Sequence, residues 1–187
     1  MSLALVLAGG GITGAAWEAG ILKGLRDAGT DLSAADLIIG TSAGAMVGAV
    51  VAAGQLDALY ERQIGPVDSA VERAAVVDLA KFANALSASG TSQKPAAEIP
   101  QSVRARLGQL ALAAEVDFTE EDRLRTMASR LGFDSWPERS LMITAVACDD
   151  GALMIWTKDS RVPLVAAVAS SCAGPFVYPP TTIAGRR

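Results

Sequence analysis

DLIIGTSAGAMVGAVVAA, Asp36 to Ala53, joins a short apolar run to a run of small apolar residues through the pentapeptide Gly40-Thr41-Ser42-Ala43-Gly44. Asp36 to Ile39 has the length and composition of a buried strand. Ala43 to Ala53 has the length of a helix, with small side chains that let it lie close on a sheet. Strand, turn and helix around G-x-S-x-G form the setting of a nucleophile elbow. There a sharp turn strains the serine backbone, and glycines stand where side chains would clash. The helix starting at Ala43 aims its unpaired N–H groups at the place where negative charge develops. Ser42 is therefore the candidate nucleophile, with Gly40 and Gly44 as the elbow glycines.

Upstream, LALVLAGGGITGAAWEAG, Leu3 to Gly20, repeats the order. Leu3 to Ala8 reads as a buried strand and Ala15 to Ala28 as a helix with Trp17, Ile21, Leu22 and Leu25 on one apolar face, ended by Gly29. Between them Gly9, Gly11 and Gly14 fit G-x-G-x-x-G, the dinucleotide fingerprint. That reading needs an acid near the end of the second strand to hold ribose hydroxyls. Asp36 stands at the beginning of that strand, and its end carries Gly40, Thr41 and Ser42. In a parallel sheet both turns emerge at the carboxyl edge, so neighbouring strands would set the glycine loop and Ser42 across one crevice. The N–H groups of Gly10 and Gly11 would then face an oxyanion formed on a carbonyl attacked by Ser42.

Two strand–helix units in succession indicate an α/β fold with a mostly parallel central sheet. From Leu56 to Leu131 the pattern turns helical, a helical insert or lid broken by the loop-like stretch Ser87 to Pro100. Within it Thr119 reads as an N-cap followed by Glu120, Glu121 and Asp122, leading to the apolar stripe Leu124, Met127 and Leu131. Leu141 to Cys148, the turn Asp149-Asp150-Gly151 and Ala152 to Trp156 form a hairpin by the Asp-Gly signal. Leu164 to Ser171 is a further small-residue helix, and Thr181 to Ile183 reads as the start of a strand.

At 187 residues, 51% of them apolar, the chain suits a single domain over 1–187 with a sizeable core. Its net charge of −4, with scattered Lys and Arg, gives no basic stripe for nucleic acid. Cys148 and Cys172 lack disulfide-framework or metal-ligand spacing and read as buried thiols of a reducing compartment, which favours the cytoplasm. Neither Leu3 to Ala8 nor Ala43 to Ala53 reads as a secretory signal or a membrane span, although peripheral membrane contact stays open. No carboxylate cluster has calcium-loop spacing, so neither a metal nor a cofactor is expected.

The sequence has no histidine. A serine hydroxyl is a poor nucleophile at neutral pH, so Ser42 needs a carboxylate or a lysine as its base. Three stretches here resemble the patatin-like phospholipases, serine acyl hydrolases with a Ser–Asp dyad. Gly9-Gly10-Gly11 with Gly14 is similar to that family's oxyanion loop and Gly40 to Gly44 to its elbow. ASSCAGPFVYPPTTIAGRR, Ala169 to Arg187, is similar to the segment that leads to its catalytic aspartate. The resemblance implies a three-layer α/β/α sandwich, a lipid or other acyl-ester substrate, and a dyad aspartate in an Asp-Gly pair expected past Arg187. The chain is then an N-terminal fragment, inactive by itself. Thr13 stands where many members carry Arg or Lys, which favours a substrate without an anionic head group, and Ala8 replaces an acidic residue. Asp150-Gly151 matches the dyad pair literally but precedes the Ser/Pro segment and reads as a turn.

Three functions are thus open: a lipid acyl-ester hydrolase, a nucleotide-binding protein using the glycine loop, and an inactive regulatory module that keeps the fold.

Overall fold

The computed structural model describes residues 2–66 and 99–187; most of the expected loop Ser87 to Pro100 and part of the helical stretch lie outside the described residues. Four strands, β1 (Ala4–Leu7), β2 (Leu37–Gly40), β3 (Leu141–Val146) and β4 (Leu153–Trp156), form one sheet in the order β1-β2-β3-β4. The first three are parallel and β4 runs antiparallel to β3, across the hairpin expected at Asp149 to Gly151. Leu7 stands opposite Gly40, so β1 and β2 end level and release their turns at the same edge.

The α/β pattern read from the sequence is present, a mostly parallel sheet with flanking helices. They are α1 (Gly11–Asp27), α2 (Ala43–Ala52), α3 (Leu56–Ile64), α4 (Gln101–Ala113), α5 (Glu120–Leu131) and α6 (Leu164–Ser171). Every residue of α2 is buried. Its small side chains allow that depth: a Cβ on Gly48 would stand 3.0 Å from Ile38 Cγ2, so even one methyl would crowd the sheet. The α6 residues Leu164, Ala167 and Val168 complete the same core, and Trp156 Nε1 donates to Ser170 Oγ at 3.1 Å to tie α6 to β4. Thr119 and Asp122 close a capping box at the start of α5. Met127 and Leu131 are fully buried and Leu124 packs against the core, as the periodicity predicts.

The sequence reading is corrected in three places. Helix α1 starts at Gly11 rather than Ala15, so two loop glycines lie in its first turn. Of the apolar face assigned to it, only Leu22 is buried, with Ala15, Glu18 and Ala19; Trp17 is 67% exposed, and Ile21 and Leu25 are exposed with it. The reason is the partner surface. Helix α1 packs on α2, which offers Ala, Gly and Val, and close approach of two such helices selects the small side of α1. Thr181 to Ile183 does not begin a strand. Ile183 makes a single bridge to Arg186 around Ala184 (φ 50°) and Gly185 (φ 79°), the paired positive φ of a tight hairpin turn. Both cysteines are half-buried rather than buried.

Candidate active site

The turn after β2 has the backbone of an elbow. Ser42 takes φ 55° and ψ −114°, in the region side chains avoid, at an order-of-magnitude cost of about 1–3 kcal/mol. Its neighbours leave no room for side chains. A Cβ on Gly40 would stand 2.3 Å from the Gly44 carbonyl oxygen, and one on Gly44 would stand 2.3 Å from that of Leu7. The elbow is sewn to β1 by the Thr41 N–H donating to Leu7 O at 3.1 Å and the Gly44 N–H donating to Ala8 O at 3.0 Å. Helix α2 opens at Ala43, whose N–H lies outside the helical ladder as all first-turn donors do.

The glycine loop lies against this serine. A Cβ on Gly9 would meet Ser42 Cβ at 3.4 Å and Ser42 Oγ at 3.9 Å. A Cβ on Gly10 would come within 2.7 Å of Gly14 Cα, and Gly11 has φ +62°. Gly14 faces Ala43 and Gly9, so α1 approaches the elbow through a residue without a side chain. The loop is exposed and Ser42 is half-buried, which leaves the space between them open to a ligand. The structure therefore brings Gly9, Gly10, Gly11, Gly14, Gly40, Ser42 and Gly44 together.

Sequence reasoning missed the groups that brace the elbow from behind. The Ser42 N–H donates to Ser171 Oγ at 2.8 Å, and the Cys172 thiol donates to Ser42 O at 3.2 Å. Thr41 and Thr144 share a hydroxyl–hydroxyl bond of 2.7 Å that links the turn to β3. The end of α6 thus fixes both polar groups of the Ser42 backbone. Burial pushes the Cys172 thiol up to about 11, so it serves here as a neutral donor. The only local signal was a hydroxyl and a thiol after a small-residue helix, which does not name a partner.

Asp150 is held in the β3–β4 turn. One of its carboxylate oxygens accepts from the Ala152 N–H at 2.9 Å, and the other pairs with Arg186 at 2.9 Å. Arg186 also grips Asp149 through two bonds, which hold the Asp149 carboxyl below the usual range. From α4, Gln101 and Arg104 donate to the Asp150 and Gly151 carbonyls, and Gly151, at φ +70°, sits where a side chain would strike α4. The turn reading of Asp150-Gly151 is the one this geometry satisfies.

Asp36 is equally committed, at the opposite edge. Its carboxylate accepts from the Leu3 N–H at 2.8 Å where β1 and β2 begin, so it cannot meet a ribose bound at the carboxyl edge. A hollow of about 310 Å³, lined by Leu37, Trp136, Arg139, Leu141 and Lys158 among others, also lies at that far end, away from Ser42.

No curated protein matches this chain. A family model, Patatin-like phospholipase, matches residues 5–187. Its span takes in the glycine loop, the elbow, the hairpin and the segment from Ala169 onward, nearly the whole sequence. On that match the chain belongs to the patatin-like phospholipase family, whose members are lipid acyl hydrolases.

Proposed function

We infer that this protein hydrolyses lipid acyl esters with Ser42 as its nucleophile. The observation that carries the reading is the positive φ of Ser42 at the end of β2, with Gly9 packed against its side chain. A serine held that way at a strand–helix junction presents its hydroxyl outward, and a glycine beside it lets a substrate oxygen approach the backbone. In the reaction Ser42 Oγ bonds to the ester carbonyl carbon while its proton passes to the base. The carbonyl oxygen takes the negative charge, facing the Gly10 and Gly11 N–H groups. Collapse breaks the ester C–O bond, the alcohol leaves with the proton, and water then releases the fatty acid from the acyl-serine. Loss of one oxyanion donor costs roughly 3–4 kcal/mol of transition-state stabilisation, so the loop matters as much as the base.

The base in this reading is the aspartate of a Ser–Asp dyad, in the Asp-Gly pair expected past Arg187, and Asp150 stays a turn residue. Thr13, exposed beside the loop, offers no cation to a phosphate, which favours neutral acyl esters over esters with an anionic head group. Contact with a lipid surface is peripheral: among the described residues no helix is long and apolar enough to cross a membrane.

A fluorophosphonate probe tests the assignment on a chain that includes the dyad aspartate this reading requires. Peptide mapping is expected to find the adduct on Ser42 and to lose it in Ser42→Ala. A labelled protein that keeps its adduct after that substitution contradicts the reading, and an unlabelled one favours a module that keeps the fold without turnover.

A further inference from the structure

Arg123, near the start of α5, is only 5% exposed. Charged side chains are almost never taken this deep unless something holds them there. Its guanidinium carbon lies 3.5 Å from the centroid of the Tyr178 ring and 5.9 Å from that of Phe118, and the two rings meet edge-on with centroids 5.3 Å apart. A guanidinium plane over an aromatic face is attracted by the ring quadrupole, most strongly where water is excluded. At the head of the same helix the Glu120 carboxylate accepts from the Thr182 N–H at 2.5 Å and from the Thr182 hydroxyl at 2.9 Å. Helix α5 therefore grips the segment that follows α6 at two points, Tyr178 and Thr182.

That segment needs the grip. Phe176 takes φ 65°, a region that side chains of its size avoid, and such a conformation persists only where the surroundings over-determine it. The turn around it is closed by the Tyr178 N–H donating to Gly174 O at 3.1 Å. The Gly174 N–H donates in turn to Cys172 O at 2.9 Å, and the Cys172 thiol to Ser42 O at 3.2 Å. Each link from Arg123 to Ser42 is thus a direct contact: a ring stack, two backbone hydrogen bonds and a thiol. An apolar residue at 123 would fill the same space without the cost of burying a charge, but it would not hold the face of a ring.

We propose that Arg123 is a positioning residue of the elbow: through its stack on Tyr178 it holds the strained turn over 174–178 and so keeps Cys172 against the Ser42 carbonyl. The proposal rests on the reading of Ser42 as the nucleophile. With the stack lost, the turn relaxes at Phe176, the thiol leaves Ser42 O, and the serine hydroxyl strays from its attack geometry.

The test compares the parent with Tyr178→Phe and Tyr178→Leu, all made in the chain that includes the dyad aspartate. Tyr178 is half-buried, so neither substitution empties the core, and Arg123 stays in place because removing a buried charge endangers the fold. Three readouts are taken: the rate of fluorophosphonate labelling at Ser42 per folded molecule, the rate of iodoacetamide alkylation at Cys172 in the native protein, and the Tm. Tyr178→Leu, which has no ring to offer Arg123, is expected to label at least about tenfold more slowly and to alkylate Cys172 at least about tenfold faster. Tyr178→Phe keeps the aromatic face and is expected to match the parent within about twofold in both. Unchanged labelling in Tyr178→Leu overturns the proposal even if the Tm falls, since that marks a residue that only stabilises the fold. Equal slowing in both variants also overturns it, because the hydroxyl and not the stack is then responsible. If the parent itself is not labelled, the nucleophile reading fails. Alkylation of Cys172 then decides the clamp: faster reaction in Tyr178→Leu but not in Tyr178→Phe upholds it, and equal rates in parent and Tyr178→Leu refute it.

Discussion

Ser42, the two elbow glycines and the thiol behind them are a linked set at the scale of single residues. The strain at Ser42 is tolerated because both polar groups of its backbone are engaged, the N–H by Ser171 and the C=O by the Cys172 thiol and by the first turn of α2. For Cys172 this has a measurable consequence. With its thiol raised to about 11 by burial, the reactive thiolate is scarce at neutral pH and grows tenfold for each pH unit below that value. Iodoacetamide at pH 8 is expected to leave Cys172 unmodified in the native protein and to alkylate it on unfolding. Alkylation of native Cys172 at the rate of a free thiol would contradict the packing of α6 on the elbow. The glycines were legible in the sequence because each one removes a specific clash. Ser171 and Cys172 were not, because their partners are the backbone groups of Ser42, far away in the chain.

At the scale of elements, the strands and the α5 stripe followed their periodicity, while α1 did not. A helix that packs on a sheet through bulky residues and one that packs on a small-residue helix through alanines can carry the same apolar spacing. The choice is made by the partner, which lies outside the local window. The inverted face makes a contrast in stability. Leu22→Ala opens a cavity against α2 and is expected to cost about 2–5 kcal/mol, whereas Trp17→Ser on the exposed stripe is expected to stay within about 0.5 kcal/mol. Urea denaturation of both variants checks this, and a larger loss from Trp17→Ser would mean that the stripe, not the alanine face, is the packed one. The start of α1 at Gly11 also eluded the sequence, since glycine at positions 11 and 14 argues against helix by propensity. It is admitted there because the loop must turn and α1 must approach Ala43 closely.

For the whole molecule, the sheet distinguishes its two faces. Leu7, Ile38, Leu141 and Ile143 face α2 and α6 and form the core. The pleat sends Val6, Val146, Leu153 and Ile155 to the other face, where all four are exposed, Val6 at 68%. Exposed apolar side chains of this kind bind hydrophobic dyes and promote association. Exchanging Val6, Leu153 and Ile155 together for Thr, which keeps strand propensity, is expected to lower ANS fluorescence without loss of secondary structure; unchanged fluorescence would place the apolar surface elsewhere. That exposure was not legible from alternation, because these strands read as continuous apolar runs that are equally suited to burial on both faces.

The central claim is that the glycine loop and the elbow form one acyl-transfer site, and a crystal structure of the fluorophosphonate adduct tests it most directly. The account predicts phosphorus bonded to Ser42 Oγ, with the phosphonyl oxygen about 2.7–3.1 Å from the backbone nitrogen of Gly10 or Gly11. An adduct on Ser42 whose oxygen points to solvent, with no loop N–H within hydrogen-bond distance, would contradict it.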